Sequence, residues 1–182
     1  MINSYFSGGF KNKSIDAAKS FRILMDLLAH PGKIGTLGLC SPPKPLSISA
    51  GAILLTLCDP DTPIYLTLNY NTSNIKDWIN FHTGAGIVDQ SEALFAFGSW
   101  SELLPLTDFP IGTPEYPDRS TTIIAEVETL KNSEFVLSGP GIRGKALLSV
   151  PNQKILNDNQ KLFPLGLDFY FTRGSSLSAV SR

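Results

Sequence analysis

Glu134-Phe135-Val136, then Leu137-Ser138-Gly139-Pro140-Gly141-Ile142-Arg143-Gly144, then Lys145-Ala146-Leu147-Leu148-Ser149-Val150 reads as strand, turn, strand. Glycine tolerates positive φ and proline fixes φ, so two glycines around a proline specify a turn few other residues could adopt. Arg143 and Lys145 set positive charge beside exposed N–H groups. That pairing can hold an anion, and it reads equally as a plain hairpin turn. If Gly141 has positive φ, Gly141→Val costs roughly 1–3 kcal/mol in backbone strain.

This late hairpin lies between two further strand candidates, Thr121 to Val127 and Leu167 to Phe171. Earlier in the chain, strands alternate with helices. Ser14 can cap a helix from Ile15 to about Ala29, with Ile15, Ala18, Phe21, Arg22, Met25, Leu28 and Ala29 at helical spacing. Lys33 to Leu37 is a short strand. Ser47 or Ser49 opens a nearly all-apolar helix through Leu57, which belongs in the interior. Ile64 to Leu68 is β-rich and reads as a central strand. Thr72 or Ser73 caps a helix from Asn74 to about His82, and Ala93 to Phe97 is another buried strand. Pro151-Asn152 starts a polar helix, and the Ser-rich tail after Arg173 is expected to fray. Alternation early and clustered strands late predict an α/β domain, one mixed β-sheet with helices packed on it, spanning 1–182.

The chain has 182 residues, 42% of them hydrophobic, enough for one domain with a real core. Only 17% are charged, against about a quarter in typical domains, and a sparsely charged surface favours a partner or self-association. Net charge is −1, with no basic stripe, so nothing supports nucleic-acid binding. Cys40 and Cys58 form no CxxC and read as buried free thiols. No basic run followed by an apolar one opens the chain. The longest apolar stretch, Ala50 to Cys58, is too short for a bilayer. The expected location is cytoplasmic, without a membrane.

His30 ends the first helix, where a cation suits the dipole. His82 sits in Ile79-Asn80-Phe81-His82-Thr83-Gly84, a helix end with a glycine stop. It reads as structural, although Thr83 and the glycine backbone give it a polar corner fit for a site. Two separated histidines without a cysteine pattern give no metal site. Pro117-Asp118-Arg119-Ser120-Thr121-Thr122 either clamps a phosphate through the Arg119 fork or is a solvated loop with an Asp–Arg pair. Asp168 has no second acid placed by sequence to complete a dyad. Walker-type, GxGxxG and Gly-x-Ser-x-Gly motifs are missing, so the catalytic residues stay unknown.

One ordered set of segments joins these readings: Gly9-Phe10, Phe21-Arg22-Ile23-Leu24-Met25, Pro31-Gly32, Leu57-Cys58-Asp59-Pro60-Asp61-Thr62-Pro63 and Phe81-His82-Thr83-Gly84. Gly112-Thr113, Pro117-Asp118, Thr121-Thr122, Leu137-Ser138-Gly139-Pro140-Gly141-Ile142 and Phe163-Pro164-Leu165-Gly166-Leu167-Asp168 follow. The set resembles the PhnH subunit family of the carbon–phosphorus lyase core complex. It departs at Ala179-Val180-Ser181-Arg182, where the resemblance implies a Pro-Arg-Thr-Thr-like run.

The resemblance implies a fold similar to the PLP-dependent transferases without the cofactor lysine, hence no PLP and no cofactor in this chain. It implies a homodimer joined to PhnG, PhnI and PhnJ. It also implies an activity of the complex, transfer of alkylphosphonate onto the ribose of MgATP with release of adenine (alpha-D-ribose 1-methylphosphonate 5-triphosphate synthesis). The residues alone carry no self-contained catalytic set, which favours a subunit not catalytic by itself. Two other readings stand beside it. One is an independent phosphate- or nucleotide-binding enzyme, with Arg119 and Arg143 gripping phosphates near His82. The other is a regulatory small-molecule-binding domain. The substrate- or partner-contact candidates are therefore His82, Arg119, Gly139, Gly141 and Arg143.

Overall fold

Residues 7–182 are described by a computed structural model. The expected domain also includes residues 1–6, which lie outside the described residues. The helices are α1 (Lys13–Ala29), α2 (Ile48–Leu57), α3 (Ser73–Thr83), α4 (Trp100–Leu103) and α5 (Gln153–Gln160). The strands are β1 (Ile34–Thr36), β2 (Ile64–Leu66), β3 (Phe95–Ser99), β4 (Thr122–Glu126), β5 (Phe135–Leu137), β6 (Ala146–Leu148), β7 (Asp168–Arg173) and β8 (Ser176–Val180).

Six strands form one mixed sheet in the order β1-β8-β7-β4-β3-β2. β2, β3, β4 and β7 run parallel, β8 is antiparallel to β7, and β1 is antiparallel to β8. Side chains alternate between the two faces of a strand, and this divides the core. Ile124 and Tyr170 join one cluster, under Leu24 and Leu27 of α1, Ile53 and Leu54 of α2, and Trp78 of α3. Ile123, Ala125, Phe169 and Phe171 join the other, with Leu103 of α4, Leu148 of β6 and Leu156 of α5. The result is the expected mixed α/β single domain, with helices packed on a sheet. The hairpin β5–β6 forms with the expected turn between its strands, but it makes a separate two-stranded sheet.

Local chemistry sets the helix ends. The side chains of Ser47, Thr72 and Asn152 accept the N–H groups of Ala50, Ile75 and Ile155 at 3.3, 3.4 and 3.2 Å. These satisfy amides that have no partner in the first turn. Gly84, at φ 76°, stops α3, and its N–H donates to Asn80 O. α2 is interior as expected, with Ala50 to Leu54 buried. Cys40 and Cys58 are free and buried, and burial pushes the Cys40 thiol up to about 12.

Four expectations need correction. Ser14 does not cap α1. The helix starts at Lys13, and the Asp16 carboxylate accepts the Asn12 N–H at 3.0 Å. The stripe chosen for α1 is also the uncovered one. Asp16, Ser20, Leu24 and Leu27 face the core, while Ile15, Phe21 and Met25 are 58%, 47% and 48% exposed.

β2 is an edge strand rather than a central one, because α3 returns the chain to only one side of it. Its other edge is covered in part by Gly86 to Val88, whose backbone bonds to Ile64 at 2.9 and 3.0 Å. Finally, the tail does not fray. β8 completes the sheet, with Leu177 and Ala179 fully buried and the Ser178 hydroxyl donating to Lys33 O at 2.7 Å. The serines alternate with apolar residues, so they do not prevent a strand.

Candidate functional site

The parallel strands β3 and β4 end at Ser99 and Glu126, which stand opposite each other in register. Ligands of parallel α/β sheets settle beyond such carboxyl ends. Here a cleft of about 490 Å³ opens, walled on its far side by the base of the β5–β6 hairpin. Ser99, Trp100, Glu126, Glu128, Glu134 and Phe135 are among its lining, and no lysine or arginine is. Glu134 carries φ 73°, a left-handed backbone that costs a non-glycine residue energy and so marks a constrained position at the mouth.

Two carboxylates stand near these strand ends, Glu126 closing β4 and Glu102 three residues beyond Ser99. Glu102, in α4, accepts the hydroxyls of Thr67 and Ser99, each at 2.9 Å, and the Asn69 N–H at 3.3 Å. Glu126 accepts the Thr172 hydroxyl at 2.8 Å. Burial raises the Glu126 carboxyl above its ordinary value, against hydrogen bonds from Ser47, Thr172 and the Gly174 backbone and the charge of Arg173. Burial also raises the Tyr70 phenol, and the charges of Glu126 and Glu102 raise it further, so both acids act on one ring. Among the described residues no three His, Cys, Asp or Glu side chains gather as metal ligands. Chemically the cleft can accept hydrogen bonds from hydroxyl or amine groups against an aromatic wall. It repels an unaccompanied phosphate.

The raised Glu126 carboxyl gives a signed pH prediction. A folded-state value above the ordinary 4.5 favours the protonated form, so its stabilisation is fully present below that value. It is lost as pH rises through the raised one. Glu126→Gln removes the titration. Urea midpoints from about pH 4 to about pH 8 should therefore fall for the wild-type protein relative to the variant as that window is crossed. Parallel curves for the two proteins would refute the assignment.

The residues singled out from sequence lie on separate elements. His82, at the end of α3, packs against the Trp78 and Phe81 rings at 5.0 and 4.9 Å between centroids. A Cβ on Gly9 would lie 2.5 Å from its ring, so the chain before α1 closes over it. Arg119 lies over the Tyr116 ring, 3.9 Å from the centroid, in the loop before β4. Gly139 and Pro140 line a smaller cavity of about 240 Å³ with Arg182, whose guanidinium already bonds Ser120, the Gly166 carbonyl at 3.1 Å and the Asp168 carboxylate at 3.5 Å. Gly141, at φ 80°, packs on the Ala29 carbonyl at the end of α1. A helix C-terminus bears partial negative charge, which opposes an anion there and suits the exposed Arg143.

Sequence reasoning missed Glu102 and Glu126. The available signal was positional, since each acid closes or follows a strand of a parallel sheet.

Comparisons with known proteins cover nearly the whole chain. A family profile described as bacterial phosphonate metabolism protein (PhnH) matches residues 8–182. A protein of Rhizobium meliloti (strain 1021), named alpha-D-ribose 1-methylphosphonate 5-triphosphate synthase subunit PhnH, is 40% identical over 189 residues, covering 97% of this chain and 93% of that protein.

Proposed function

The chain belongs to the PhnH family and so serves phosphonate catabolism as a subunit of the carbon–phosphorus lyase pathway, and on that footing we propose that it is an accessory, non-catalytic subunit of the synthase. In this reading the complex transfers an alkylphosphonate to the ribose of MgATP and releases adenine. This chain contributes surfaces to PhnG, PhnI and PhnJ, as a cytoplasmic homodimer with the PLP-dependent transferase fold but no PLP.

One observation carries the accessory role. The main cleft is lined by Glu126, Glu128 and Glu134 and by no cation. A triphosphate needs cationic or metal partners, and three carboxylates repel it. This cleft therefore offers no phosphate grip of its own, which favours a source for it outside the cleft. His82, Arg119, Gly139, Gly141 and Arg143 remain proposed contacts to substrate or partner, acting from different faces.

The test is adenine release from MgATP and methylphosphonate. The chain is assayed alone, then with PhnG, PhnI, PhnJ and the system's accessory ATPase. Release is expected only from the full mixture and lost when this chain is left out. Release by the chain alone would overturn the accessory role.

A further inference from the structure

α1 is amphipathic twice over. Leu24 and Leu27 bury one face, while Ile15, Phe21 and Met25 leave a second apolar stripe in solvent. Past Lys19 and Arg22, on the flank of α1, runs a groove of about 410 Å³ between α1 and the segment that continues the edge strand β1. Ile23, Thr36, Leu37, Gly38 and Leu39 form its walls, and its only charged lining residues are Lys19 and Arg22. Leu39 is itself 38% exposed. An exposed apolar stripe at helical spacing is a surface that can receive a helix.

Charge identifies the occupant. Lys11, Lys13, Lys19 and Arg22 are exposed along this end of the molecule, and among the described residues none is in an ion pair. The acids of α1 are already used. Asp16 is buried on the Asn12 N–H, and Asp26 holds Lys33 at 2.6 Å and His30 at 3.1 Å. A second copy of α1 laid on the stripe would bring more of the same charge and no spare carboxylate.

We infer that the α1 stripe and its groove dock an acidic amphipathic helix of another subunit of the complex. The apolar anchors of that helix pack on Phe21 and Met25, and its carboxylates meet Lys19 and Arg22. This rests on the subunit role proposed above and names the surface that serves it.

The test uses the full chain mixed with PhnG, PhnI and PhnJ, with assembly followed by sedimentation at low and high salt. Lys19→Glu/Arg22→Glu touches only exposed side chains. It should weaken assembly about tenfold or more at low salt, and the gap should narrow as salt rises. Phe21→Ser should weaken assembly about tenfold at either salt, with an unchanged melting temperature. Both variants assembling as the wild type would overturn the inference and leave the subunit role standing. Wild-type self-association abolished by Phe21→Ser, with assembly intact, would assign the stripe to a second copy and overturn it too. A wild-type chain that assembles with none of the three would remove the subunit role, and this inference with it.

Discussion

Gly141→Val is expected to lower the unfolding free energy by roughly 2–6 kcal/mol, about 1–3 from left-handed backbone on a β-branched residue and about 1–3 from a side chain forced into filled space. Gly141 has φ 80°, and a Cβ built on it would overlap the Ala29 carbonyl oxygen and lie 3.0 Å from the carbonyl carbon. The strand–turn–strand unit is docked at this point. Asn132 Nδ2 donates to Gly32 O at 2.6 Å and to Leu147 O at 2.9 Å, and Gly32 itself leaves room for Ala146. Gly139→Val is the control. Gly139 also has positive φ, 145°, but nothing lies within 4 Å of its Cβ direction. Backbone strain of about 1–3 kcal/mol is then the whole of its cost. Urea unfolding of both variants separates the contributions. Equal costs would show that contact with α1 adds nothing, and an unchanged Gly141→Val protein would show that the hairpin does not rest on α1 in solution.

That turn illustrates what a sequence discloses. Its conformation follows from residue type, since only glycine adopts those φ values without strain, so hairpin and turn were legible. Its neighbour was not, because nothing local says that Gly141 meets the end of α1. The same division runs through the sheet. β4 and β7 announce themselves as nearly continuous apolar, β-rich runs, but strand order depends on which side the connections take. Hence β2 reads as central although it lies at the edge.

α1 misled for a physical reason. Its solvent stripe of Ile15, Phe21 and Met25 is more apolar than the core-facing set, where Asp16 and Ser20 stand beside Leu24 and Leu27. Periodicity ranks stripes by hydrophobicity and cannot see which of them the rest of the fold covers. The cleft was invisible for a related reason. Ser99 and Glu126 are distant in sequence and stand side by side only through the parallel register of β3 on β4.

Gly98→Ala should perturb this end of β3 more severely than its single added methyl suggests. Gly98 lies in the interior of β3, where glycine normally weakens a strand and marks a close approach. The approach is by Thr67. A Cβ on Gly98 would overlap the Thr67 hydroxyl and methyl and lie 2.8 Å from its Cβ. Thr67 is 1% exposed, its N–H donates to Phe97 O at 3.0 Å, and its hydroxyl holds Glu102. The side chain has nowhere to go without breaking one of these bonds. The expected cost is about 4 kcal/mol, from overpacking of about 1–3 kcal/mol and loss of a charge-assisted hydrogen bond worth about 1.5–3.

A double-mutant cycle isolates the cause. In a Thr67→Ala background the obstructing hydroxyl and methyl are gone, so Gly98→Ala should cost at least about 1 kcal/mol less than in the wild type. Additive effects would mean that Thr67 is not what Gly98 makes room for. Coupling together with lost adenine release by the full complex, at temperatures where the variant remains folded, would tie the Glu102 shelf to the work of the subunit. Coupling with full release would confine that shelf to stability.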